Sequence, residues 1–98
     1  MLFVPVLGLA LAALPSCGSY DAVDYCDDKC SCKGCSTLEY DICVQQEEDR
    51  LRSADIRNCL DYYDDFMSCR ETTECLGGAI YDDNRCNFEQ KILNECVD

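Results

Sequence analysis

The chain contains no histidine and no tryptophan. Without histidine the commonest general base is missing, and with it every Ser-His or Cys-His dyad that could activate a nucleophile. Proline occurs only as Pro5 and Pro15, so everything after residue 15 is free of it. Nowhere does a run of alternating apolar and polar residues stand between turn signals, so no strand is expected. Basic residues are scarce as well. Eight Lys and Arg face twenty Asp and Glu, a formal charge of -12. A field of that sign repels nucleic acid and anionic lipid head groups, so neither is expected as a partner. The acidic residues are scattered rather than blocked, which fits a solvated surface that keeps small secreted molecules apart.

What is abundant is cysteine, 11 in 98 residues. That density marks a disulfide scaffold in a short secreted chain, and the same residues in the cytosol would mean metal or catalysis. One domain of this size buries too little apolar surface to dispense with covalent staples. The compartment is indicated by the first 16 residues. Residues 1–14 read MLFVPVLGLALAAL, an uncharged apolar run too short to span a bilayer but matched to a signal-peptide core. Leu14-Pro15-Ser16-Cys17-Gly18 follows and resembles a bacterial lipobox, in which cleavage precedes a lipid-modified cysteine. The resemblance implies a signal peptide over 1–16, a lipidated Cys17 with a tether over 17–20, and a cysteine-rich domain over 21–98. The ordinary alternative is cleavage near Ser16 or Gly18 and free secretion. Lipid on Cys17 leaves ten cysteines, an even number that allows five disulfides.

Helical spacing organises the rest into an all-α fold of four short helices, arranged as two disulfide-linked hairpins. The first is expected over Asp21 to Cys30, with Val23, Cys26 and Cys30 on one stripe. The second opens on Ser36-Thr37-Leu38-Glu39, a capping box, and runs to about Arg52 with Tyr40, Cys43, Val44 and Leu51 on one side. A third covers Asp55 to Arg70, capped by Asp55 or Ser53, with Ile56, Cys59, Leu60, Tyr63, Phe66 and Met67 in a single apolar arc. Arg70 then complements the negative end of its dipole. The fourth covers Asn84 to Val97, with Phe88, Ile92, Leu93 and Cys96 sharing a face.

Cys59-x9-Cys69 and Cys86-x9-Cys96 place two cysteines along each of the last two helices, about 80° apart in rotation and about 15 Å apart along the axis. Antiparallel packing brings the first cysteine of one helix opposite the last of the other, so the expected bridges are Cys59–Cys96 and Cys69–Cys86. For Cys26, Cys30, Cys32, Cys35, Cys43 and Cys75, fifteen pairings remain open. Cys26 and Cys30, one turn apart, should reach away from each other. Cys43 is a candidate partner in the first hairpin, and Cys75 is a candidate for tying the connecting loop back to it.

Over residues 59–98 this spacing is similar to the twin CX9C hairpin of the coiled-coil-helix-coiled-coil-helix proteins. Across the whole chain, the leader, the lipobox, the Cys26-x3-Cys30-x-Cys32-x2-Cys35 opening and the acidic helices bearing Cys and Tyr resemble small cysteine-rich lipoproteins of myxobacteria-like bacteria. That resemblance implies a helical fold and an outer-membrane location after export across the cytoplasmic membrane. It supplies no catalytic residue.

Candidate chemistry is thin. Cys26, Cys30, Cys32 and Cys35 have the thiolate density of a Zn²⁺ or Fe–S site, but export favours reading them as disulfide halves. Cys32-Lys33-Gly34-Cys35 is a CxxC with a thiol-activating lysine, though no βαβ pattern surrounds it. Asp61, Asp64 and Asp65, and the Tyr81-Asp82-Asp83-Asn84 stretch, carry carboxylates without the spacing of a Ca²⁺ loop. Tyr40 and Tyr63 fit core stripes, whereas Tyr20, Tyr25, Tyr62 and Tyr81 are less committed: partial burial with the hydroxyl in water is expected, and a recognition patch is the alternative. The expectation is a non-enzyme with no cofactor and no bound metal. It would reach a membrane through the Cys17 lipid and bind an unidentified protein or envelope partner. A thiol-redox or metal-handling role for the N-terminal cysteines is the alternative.

Overall fold

The computed structural model describes residues 20–98. The signal peptide expected over 1–16, the lipidation at Cys17 and nearly all of the tether lie outside the described residues. The described part is a small all-α, disulfide-rich fold. It comprises α1 (Ala22–Lys33), α2 (Thr37–Ile56), α3 (Leu60–Glu71) and α4 (Asn87–Val97), with a short hairpin of β1 (Cys75–Leu76) and β2 (Ile80–Tyr81) between α3 and α4.

Local chemistry sets most helix ends. Asp21 and Asp24 form a capping box at the start of α1, the Asp24 amide donating to Asp21 Oδ1 at 2.9 Å. α1 runs on to Lys33, three residues past the expected Cys30, and stops where Gly34 adopts φ 81° and donates its amide to the Cys30 carbonyl. At α2 the Glu39 amide donates to Ser36 Oγ at 3.1 Å and the Ser36 amide to Glu39 Oε1 at 2.8 Å. That is the capping box read from the sequence.

The boundary between α2 and α3 differs from expectation. α2 continues beyond Arg52 to Ile56, and neither Ser53 nor Asp55 caps a new helix. The chain turns at Asn58, whose φ is 59°. The Asn58 amide donates to Asp55 O and the Cys59 amide to Ala54 O, a Schellman closure with asparagine in the left-handed position. Ile56 therefore leaves the apolar arc and is 69% exposed at the end of α2. The arc that remains on α3 is Tyr63, Phe66 and Met67, joined by Arg70, and all four are buried.

The hairpin is a second departure from a strand-free reading. Cys75 pairs with Tyr81 and Leu76 with Ile80 across a Gly77-Gly78-Ala79 turn in which Gly78 and Ala79 take φ 80° and 62°. Two residues per strand are too few to show alternation, so the sequence carries no strand signal. A 3-10 turn over Asp83–Cys86 leads into α4, which starts three residues later than Asn84. On α4 Leu93 is buried while Phe88 is 71% exposed. Five residues of helix rotate Phe88 by about 140° from Leu93, so the two cannot both face the core.

Antiparallel hairpins α1/α2 and α3/α4 pack around one core of Tyr25, Cys26, Ala54, Cys59, Tyr63, Phe66, Met67, Tyr81, Cys86 and Leu93. Five disulfides bind it: Cys26–Cys43, Cys30–Cys35, Cys32–Cys75, Cys59–Cys96 and Cys69–Cys86. Four of them close separations of 17 to 43 residues. A chain-entropy account gives each of those about 3–4 kcal/mol.

Candidate functional site

Two regions gather chemically active side chains. The first lies inside the core, where α1, α2 and α3 meet. The Arg70 guanidinium is sandwiched between the Tyr25 ring, with its central carbon 3.7 Å from the centroid, and the Phe66 ring at 4.0 Å. It donates to Glu47 Oε1 at 2.5 Å, and Arg50 Nε lies 3.4 Å from the same oxygen. Arg70 and Glu47 are both buried, so this is a desolvated ion pair held by two aromatic faces. Arg70 does lie in the last turn of α3, at the negative end of its dipole, and its side chain is also buried. Its position seven residues beyond Tyr63 places it on the same stripe, and that period is the signal that could have found it. Glu47 lies four residues after Cys43 on α2 and is legible in the same way.

Around this pair the tyrosines are tied to aspartates. Tyr25 donates to Asp83 Oδ1 at 3.0 Å, Tyr20 to Asp28 Oδ2 at 2.6 Å and Tyr40 to Asp27 Oδ1 at 2.7 Å. Lys29 Nζ stands 3.1 Å from Asp83 Oδ2. Burial, reinforced by the neighbouring carboxylates, pushes the phenols of Tyr20 and Tyr25 well above their ordinary range. The alternative of a recognition patch on Tyr20, Tyr25, Tyr62 and Tyr81 is therefore not assembled. Tyr25 and Tyr81 are buried and Tyr20 is half-buried, which leaves Tyr62 as the exposed member. The Tyr25 ring is spent on covering the buried guanidinium instead.

The second region is the N-terminal cysteine cluster. The CxxC pair is split between two bridges, with Cys32 bonded to Cys75 and Cys35 to Cys30. Cys35 and Cys75 are exposed, whereas Cys26, Cys59 and Cys86 in the other three bridges are buried. All ten described cysteines are in disulfides. Beside Cys30–Cys35 a cleft of about 250 Å3 is bordered by Lys29, Lys33, Ile42 and Gln46. Asp61, Asp64 and Asp65 lie exposed on α3, and Asp83 is committed to Tyr25 and Lys29. Among the described residues no cluster of three or more His, Cys, Asp or Glu side chains is placed to hold a metal ion. Nor is any described helix long and apolar enough to cross a membrane.

No protein-family model, no curated protein and no solved structure matches this chain.

Proposed function

We propose that this chain is a non-catalytic cell-envelope protein, anchored by lipid on Cys17, whose disulfide-stapled domain serves as a rigid interaction module. The observation that carries the reading is the complete pairing of the ten cysteines in the described domain. With five bridges joining both hairpins and the loop between them, the domain keeps its shape in an oxidising environment without metal or cofactor. Pairing also leaves Cys17 as the one cysteine outside the scaffold, as lipidation requires. Several large apolar side chains remain exposed, Leu38, Ile56 and Phe88 most of all, and they provide contact area for an envelope partner. An outer-membrane location suits Gly18 after the anchor cysteine. The net negative charge argues against nucleic acid as that partner.

Intact mass of the protein from its native host, before and after reduction and alkylation, tests this directly. The expected result is a diacyl or triacyl addition on Cys17, with ten alkylations that appear only after reduction. An unlipidated chain with thiols that alkylate before reduction sinks the reading and favours thiol-redox or metal handling by the N-terminal cluster of Cys26, Cys30, Cys32 and Cys35.

A further inference from the structure

Beside the β-hairpin, an open cavity of about 390 Å3 is bordered by Thr72, Glu74, Leu76, Asp82 and Arg85. We propose that it receives the zwitterionic head group of a phospholipid, phosphocholine or phosphoethanolamine, while the hairpin tip rests in the membrane interface. This deepens the envelope-module reading by naming a surface the module touches, and it requires no lipid on Cys17.

The chemistry of the lining is what points to a zwitterion. Arg85 makes no ion pair among the described residues and donates through Nη2 to Thr72 Oγ1 at 3.0 Å, which fixes its guanidinium beside a hydroxyl. The Thr72 hydroxyl gives its own proton to Cys69 O at 2.7 Å, so it orients the guanidinium, and the remaining N–H groups of Arg85 are the donors for a phosphate. Glu74 and Asp82 supply two carboxylates on the same cavity, and neither forms an ion pair among the described residues. They suit the ammonium end of the same head group and disfavour a free phosphate or an anionic lipid.

Apolar surface stands where the acyl region would lie. Leu76 belongs to the cavity wall and pairs across the hairpin with Ile80. These side chains are 48% and 56% exposed. The hairpin is held at its base by Cys32–Cys75 and by the buried Tyr81 ring, so its tip is presented without a large ordering cost.

The absence of tryptophan makes a clean probe possible. Gly77 at the turn has only open space where a Cβ would stand, so Gly77→Trp introduces no Cβ clash in the hairpin. The mature chain carrying Cys17→Ser and Gly77→Trp, with its five disulfides verified by mass, is titrated with phosphatidylcholine vesicles and with phosphatidylglycerol vesicles. Soluble phosphocholine is titrated separately, and Leu38→Trp on α2 serves as the distant control. The expected result is a blue-shifted, brominated-lipid-quenched Gly77→Trp emission on phosphatidylcholine vesicles alone, with the control unchanged. Arg85→Gln weakens vesicle binding by about tenfold, as for the loss of one charge-assisted hydrogen bond. Leu76→Ser with Ile80→Ser abolishes the blue shift. An unshifted probe on phosphatidylcholine vesicles overturns the inference, as does preference for the anionic vesicles. So does a response to soluble phosphocholine without vesicle binding, or an Arg85→Gln protein that binds like its parent. None of these outcomes bears on Cys17 lipidation, which the mass measurement decides independently.

Discussion

Arg70 and Glu47 place a charge pair where most small domains have aliphatic side chains. Removing one member strands the other in low dielectric, so Arg70→Ala is expected to cost about 3–5 kcal/mol. Arg70→Met combined with Glu47→Leu should recover most of it, because two apolar groups need no partner. Guanidinium unfolding with the disulfides intact would check both, and equal losses in the single and double variants would contradict the buried-pair account. Tyr63 makes a different demonstration. Burial pushes its phenol from about 10 up to about 12, and its hydroxyl has no hydrogen-bond partner. In the unfolded chain that proton leaves near pH 10, whereas in the fold it stays until about 12. This contribution is therefore whole below pH 10 and drains away as pH rises toward 12. Tyr63→Phe should unfold at higher pH than the parent in circular dichroism, with little change at neutral pH.

At the scale of elements, Asn58 decides where α2 ends. Its left-handed backbone directs the Cys59 amide back to Ala54 O and so delivers Cys59 to Cys96. Asn58→Gly should be neutral or slightly stabilising, and Asn58→Ala should cost about 1 kcal/mol, because a Cβ without a polar group tolerates that conformation poorly. Thermal melts of the two variants would test the order, and Ala matching Gly would remove the role assigned to this turn. The capping boxes at Asp21 and Ser36 are both legible in principle, because a cap is a property of four adjacent residues. Only the second is read from the sequence, since Ser-x-x-Glu is a more familiar pattern than Asp-x-x-Asp. The α2/α3 boundary escapes for the opposite reason. Ile56 continues an apolar period that both helices share, and periodicity by itself cannot say at which residue the axis turns.

For the molecule as a whole, the bridges differ in how far solvent reaches them. Cys30–Cys35 and Cys32–Cys75 each have an exposed member, while each of the other three has a buried one. Limited reduction followed by alkylation and peptide mapping should find Cys30, Cys32, Cys35 and Cys75 labelled first, with both hairpins still joined. Early labelling of Cys59 or Cys96 would mean that the core opens before the loop does. A molecule reduced only at the exposed bridges should keep its helical signal, since the Arg70 centre and the α3/α4 bridges lie elsewhere.

The all-α class, the capping box at Ser36 and the bridges of the second hairpin follow from the order of residues alone. Each depends on relations along one helix, or between two helices joined by a short connection, and such relations survive as spacing. The partners of Cys30, Cys32, Cys35 and Cys75, the hairpin, the exposure of Phe88 and the enclosure of Arg70 by Tyr25 and Phe66 are settled only in three dimensions. Cys32–Cys75 and the enclosure of Arg70 join segments far apart in the chain, and the exposure of Phe88 depends on which side of a helix a third element covers. Cys30–Cys35 and the hairpin are local, but neighbouring cysteines offer several pairings and strands of two residues show no alternation, so no pattern selects them.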